Sequence, residues 1–225
     1  MARVAWWALF VLVGAATAGS AHAITAFSNF GPGFARSTDT GLIVGRDGDI
    51  FGITTSGVQF SSEATGPFTM LWIAANARVG TPGDGLTFTL TTDEQGIPGE
   101  AIESVVFDNI CDVNACATGQ LFSALASQTN LLVEGETYWL IAAAEDPESS
   151  FLWFGTTPGE GPGTVWVQNL LFPEGIVIEL AQPGAFRIDV TPRVVTVAEP
   201  DMVPLLAMTG IALLFGYVRR AGSRP

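Results

Sequence analysis

The chain has 225 residues, nine of them basic and 22 acidic, for a formal net charge of −13 at pH 7. It contains no lysine and a single histidine, His22. A surface this acidic repels phosphate backbones, which excludes nucleic acid as a partner.

Arg3 opens a positive n-region, and Ala5 to Ala16 is a continuous apolar run. Ala21-His22-Ala23 then sets small residues, Ala21 and Ala23, at the two positions a signal peptidase reads. Residues 1–23 therefore predict a secretory signal helix cleaved after Ala23, with signal peptidase as a partner. A retained membrane helix would need a longer run. His22 leaves with this peptide, so Ser-His-Asp, Cys-His and His-ligated zinc chemistry are lost to the mature domain. No GxGxxG, P-loop or GxSxG motif occurs, and no lysine remains for a Schiff base. The chemistry still open is that of paired carboxylates, as in glycosidases.

Residues 24–193 predict one β domain, long enough for a sizeable core. Short β-rich runs lie between glycine and proline clusters such as Gly31-Pro32-Gly33, Gln95-Gly96-Ile97-Pro98-Gly99, Thr157 to Gly163 and Gln182-Pro183-Gly184. Strands are expected at Ile50–Thr54, Val58–Ser62, Phe68–Ala75, Leu86–Thr91, Ala101–Phe107, Leu121–Leu125, Thr137–Ala144, Phe151–Phe154, Thr164–Val167, Ile176–Leu180 and Phe186–Val190. Leu86, Phe88 and Leu90 alternate strictly with Thr87, Thr89 and Thr91. Ser123 to Asn130 is the one stretch with the makings of a helical turn. The expected class is all-β: an antiparallel two-layer β-sandwich, jelly-roll-like, flanked by the N-terminal signal helix and a C-terminal transmembrane helix.

Four groups of residues in this domain are candidates for chemistry. Asp47-Gly48-Asp49 could hold Ca²⁺ with backbone carbonyls, but lacks the EF-hand glutamate, and a polar turn is the favoured reading; Asp84 and Asp93 are equally ambiguous. Cys111 and Cys116, spaced C-x4-C, are expected to form a disulfide outside the cytoplasm, since the mature domain has no other Cys or His to complete a zinc site. Trp72, Trp139, Trp153 and Trp166, with Tyr138, Phe151 and Phe154, are expected to fill the core. Exposure of Trp153 and Trp166 beside the glycine-rich loop would instead suit stacking on sugar rings. Glu145-Asp146 with Glu148 is the candidate carboxylate set, weighed against a solvated loop broken at Pro147.

Residues 194–201 are a linker ending in Ala198-Glu199-Pro200. Met202 to Val218 is apolar with no polar face, about 25 Å long as a helix. Arg219, Arg220 and Arg224 follow within residues 219–225 and predict a cytoplasmic stop. This tail resembles the PEP-CTERM sorting signal of exopolysaccharide-producing Gram-negative bacteria. Glu199 and Pro200 match the motif, while Ala198 replaces its first proline. The resemblance implies processing by exosortase, a membrane transpeptidase that cuts near the motif.

The middle of the chain resembles the choice-of-anchor type β domains that precede such tails. Thr92-Asp93-Glu94-Gln95-Gly96-Ile97-Pro98-Gly99, Leu132 to Ile141 with its Tyr138-Trp139-Leu140 core, and Ala185-Phe186-Arg187-Ile188 carry the likeness, over roughly residues 55 to 190. That family has no established activity to transfer. The reading is therefore a non-enzymatic, exported protein, membrane-anchored before processing, then structural or adhesive at the cell surface or in the exopolysaccharide matrix. A lectin-like, Ca²⁺-dependent carbohydrate-binding module is the alternative, and a carboxylate-based glycosidase a remote third.

Overall fold

The computed structural model describes residues 22–46, 51–79, 85–112, 114, 119–159 and 161–192. The expectations for Ala21, Asp47, Asp49, Asp84, Cys116, Ala198, Glu199, Pro200, the 202–218 helix, Arg219, Arg220 and Arg224 lie outside the described residues. No helix among the described residues is long and apolar enough to cross a membrane.

The described residues form thirteen strands: β1 (Ile24–Ser28), β2 (Gly41–Arg46), β3 (Ile53–Ser61), β4 (Gly66–Val79), β5 (Leu86–Glu94), β6 (Ile97–Phe107), β7 (Gln120–Leu125), β8 (Leu131–Leu132), β9 (Thr137–Ala144), β10 (Ser150–Phe154), β11 (Gly163–Gln168), β12 (Ile176–Leu180) and β13 (Phe186–Val190). The domain is all-β, and its strand ladders are antiparallel. The main path runs β1-β13-β4-β10-β2-β3-β9-β5-β6, with β11 and then β12 branching from β3. Ile73 of β4 pairs with both Phe186 of β13 and Phe122 of β7, so those two strands flank β4 on opposite edges.

Period-two patterning explains which faces are buried. Leu86, Phe88 and Leu90 are buried while Thr87 and Thr89 between them are half-exposed. Rings from distant strands then meet in one cluster. Phe88 of β5 lies 4.9 Å from Trp153 of β10, and Phe60 of β3 lies 5.4 Å from Phe186 of β13, centroid to centroid. Phe27 of β1 touches both Phe60 and Phe186, at 5.0 and 4.9 Å. The Phe88–Trp153 and Phe60–Phe186 pairs meet edge to face, and such contacts add about 0.5–1.5 kcal/mol beyond area burial.

Three expectations are corrected. Ser123 to Asn130 contains no helical turn, because residues up to Leu125 pair with β4 from Met70 to Ala75; cross-strand pairing overrides weak local preference. Pro98 and Gly99 do not end the chain reversal. They lie inside β6, which is paired on one side by β5, so the missing proline N–H falls on a free edge. The reversal itself is the two-residue loop Gln95-Gly96, with φ of 58° and 88°, as a type I′ hairpin turn demands. β1, β2 and β8 have no counterpart among the expected strands. They are short, and partners far along the chain stabilise them: β1 joins β13, β2 joins β10 and β8 joins β4.

Candidate functional site

The tryptophans divide by burial. Trp139 and Trp153 are both 0 % exposed. Trp153 donates its indole N–H to the Ala185 carbonyl at 2.9 Å and its ring contacts Phe88 and Phe186. It is a core residue, as expected, and no sugar can reach its face. Trp72 is not in the core. Leu71 and Ile73 point inward, so Trp72 points to the opposite face of β4, where it stays half-buried. Trp166 is half-buried as well, with its indole against Gly175; that glycine has φ of 79°, and any side chain there would collide with the ring.

The outer face of β13 carries a polar cluster that period-two reading alone does not reveal. Asp189 is 5 % exposed. Its Oδ1 accepts from Arg187 Nε at 2.7 Å and from Thr25 Oγ1 at 3.2 Å, and its Oδ2 accepts from Trp72 Nε1 at 2.9 Å. The Arg187 guanidinium sits 5.6 Å from the Phe34 ring centre, and Phe34 lies 5.4 Å from Trp72. The segment Gly31–Ala35, closed by two backbone hydrogen bonds between its ends, thus covers a paired charge on the sheet. The arrangement fastens β1, β4 and β13 together.

Asp93 takes a comparable part on the other half of the sheet. Its Oδ1 accepts Gln59 Nε2 and Trp139 Nε1, each at 2.7 Å, and its Oδ2 accepts the Gly96 N–H at 3.1 Å. Burial pushes the carboxyl up, but the bonds from Gln59, Gly96 and Trp139 outweigh it and hold the group below its ordinary value. The residue considered as a cation ligand is committed to β3, β9 and its own turn. The D-x-x-G spacing pointed to the turn; the donors from Gln59 and Trp139 are brought in by β3 and β9.

The acidic set after β9 is exposed and locally employed. Glu145 accepts from Thr87 Oγ1 at 3.1 Å, Asp146 accepts the Glu148 N–H at 2.8 Å, and Glu148 pairs with Arg46. These contacts tie the β9–β10 loop to β2 and β5. Among the described residues no three His, Cys, Asp or Glu side chains converge as metal ligands would.

Two adjoining recesses lie beside the glycine-rich loop. One, of about 310 Å³, is lined by Phe27, Asn29, Gln59, Thr156, Pro162 and Pro183; the other, of about 350 Å³, by Ser61, Asp93, Thr137 and Thr164. A third, of about 520 Å³ and mainly apolar, lies between Ile53 and Leu170 at the turn joining β11 to β12.

The Cys111 carbonyl accepts the Ala77 N–H at 2.9 Å. The sequence has one other cysteine, Cys116. Alkylation of exported protein followed by intact-mass measurement is expected to find no free thiol. Two free thiols would refute the pairing of Cys111 with Cys116. The loop between them is short, so its contribution to stability is expected to be modest.

The chain matches no protein-family model, and no curated protein at a significant level.

Proposed function

We propose that the chain is an exported, non-enzymatic β-sandwich protein, held in the membrane by its C-terminal helix until exosortase processes it. It then serves a structural or adhesive role at the cell surface or in the exopolysaccharide matrix. The reading is carried by two sequence patterns: the apolar run Ala5 to Ala16 followed by Ala21-His22-Ala23, and Ala198-Glu199-Pro200 followed by an apolar run and Arg219, Arg220 and Arg224. Strand β1 starting at Ile24, immediately after the expected cut, supports it. The sandwich reading draws on the rings of β3 and β5 meeting those of β13 and β10, contacts that a sheet doubled over on itself would make. The structural role draws on where the reactive side chains are spent. Asp93 and Asp189 fasten strands, Glu145 and Glu148 fasten a loop, and Trp139 and Trp153 are core.

The test compares the full chain, a chain lacking Met202 to Pro225, and the variants Glu199→Ala and Ala198→Pro, by fractionation and mass measurement in hosts with and without exosortase. The full chain is expected in the membrane of the deficient host and as a product cut near Glu199-Pro200 in the competent one. The truncated chain is expected as soluble exported protein, and Ala198→Pro is expected to speed the cut. A truncated chain that stays in the membrane fraction, or a Glu199→Ala variant processed like the parent, would overturn the reading.

A further inference from the structure

We propose that the two adjoining recesses beside the glycine-rich loop are one binding site for a neutral saccharide, gripped by Gln59 and the hydroxyls around it and independent of calcium. The inference stands on the geometry of the recesses and does not depend on how the chain is exported.

The recesses share Gln59, Pro162 and Gly163, so they are halves of one depression. Their volumes, about 310 and 350 Å³, fall at the lower end of the range for small-ligand sites. Strand register sets the polar groups in place. Gln59 and Ser61 of β3 alternate with the buried Val58 and Phe60, and so face outward. Ser61 is paired with Thr137 of β9, and their hydroxyls lie 3.3 Å apart. On the other side Val58 pairs with Val165 of β11, which puts the preceding Thr164 on the same outer face as Gln59. Three neighbouring strands thus present an amide and three hydroxyls side by side.

Asp93 fixes the amide. An ionised carboxylate only accepts hydrogen bonds, so Gln59 meets its Oδ1 with Nε2, at 2.7 Å, and turns its own Oε1 away. The Trp139 indole N–H, which can only donate, holds the same oxygen from beneath. Among the described residues no donor reaches Gln59 Oε1. An acceptor is therefore held ready, and little rotamer freedom is lost when a ligand takes it. The first recess also reaches Thr156, which is 1 % exposed and whose Oγ1 has no hydrogen-bond partner among the described residues. Buried hydroxyls are nearly always bonded, so this one lacks a partner that the fold does not supply.

The lining selects the ligand. The amide and hydroxyls suit the hydroxyl groups of a sugar, and Phe27, Pro162 and Pro183 offer apolar walls to the C–H face of its ring. No basic residue lines either recess and Asp93 lines one, so phosphate, sulfate and uronate groups are repelled. A peptide cannot add as a strand, because β3 is paired on both sides here, by β9 and β11. Calcium finds no ligand set. Asp93 is the single carboxylate among the lining residues, and three donors already occupy it.

The test applies the full chain, in a detergent without a sugar head group, to an array of neutral and acidic glycans, followed by calorimetry with the neutral glycan that binds best. Neutral glycans are expected to bind, polyuronates and sulfated glycans are not, and EDTA is expected to change nothing. Gln59→Met keeps the side-chain shape and loses both polar atoms, and affinity is expected to fall about tenfold or more. Thr164→Val is expected to cost about threefold. Circular dichroism and the thermal midpoint check both folds. Should Gln59→Met fail to fold, Thr164→Val and Ser61→Ala decide. Failure of every neutral glycan to bind, binding abolished by EDTA, or binding that survives these variants and is lost in Trp166→Ala would each overturn the proposal.

Discussion

Replacing Trp153 by alanine is expected to lower the unfolding free energy by about 3–5 kcal/mol, enough to leave much of the population unfolded in a domain of ordinary stability. Trp153 is wholly buried and contacts the rings of Phe88 and Phe186. Those contacts join β10 to β5 and β13, so truncation opens a cavity between elements that do not neighbour one another along the ladder. The indole N–H bond to the Ala185 carbonyl is lost as well, leaving a backbone acceptor without its partner. Urea unfolding followed by far-ultraviolet circular dichroism measures the loss. Trp166→Ala is the control: its ring is half-buried against Gly175, and about 1–2 kcal/mol is expected there. Equal losses at the two positions would show that the ring cluster is not the main tie.

Replacing Asp93 by alanine is expected to cost about 2 kcal/mol at neutral pH. The figure reflects three acceptor contacts removed at once and the Trp139 indole N–H left inside the fold without a partner. A pH dependence separates this site from an ordinary surface carboxylate. The folded-state pKa of Asp93 is depressed, so its contribution is complete above the unfolded value, about 3.9, and is lost as pH falls through the folded value. Wild-type protein is therefore expected to lose stability below about pH 4 along a limb that is shallower in Asp93→Asn. The amide keeps the shape and cannot titrate. Denaturant midpoints between pH 2 and 7 for both proteins provide the measurement. Identical acid limbs would remove Asp93 from the set of groups that couple folding to pH.

Strand existence was legible in the sequence wherever burial is one-sided. Leu86, Phe88 and Leu90 alternate with threonines because one face of β5 meets the core and the other does not. The all-β class, the strand Phe186–Val190 and the turn after Asp93 follow from such local chemistry, while Thr137–Ala144, buried on both faces, is legible as a short unbroken apolar run. So do the expectation of a membrane helix and its arginine stop, which rest on unbroken apolar length and on charge alone.

Partners distant in the chain were decided by the tertiary structure. β1 is held by β13, more than 150 residues away, and nothing in Ile24–Ser28 encodes that address. Asp93 and Asp189 look like any exposed acid of an acidic protein. They become fasteners because β9 brings the Trp139 indole to one and β4 brings the Trp72 indole to the other. Trp72 shows the same limit from the opposite side. An apolar run around it suggested the core, but the pleat sends each successive residue to the other face, and only the covering segment Gly31–Ala35 determines what lies there. Period and composition are properties of neighbouring residues, so the sequence states them directly. A hydrogen bond across the sheet depends on which strands the chain has already laid side by side, and that is a property of the whole fold.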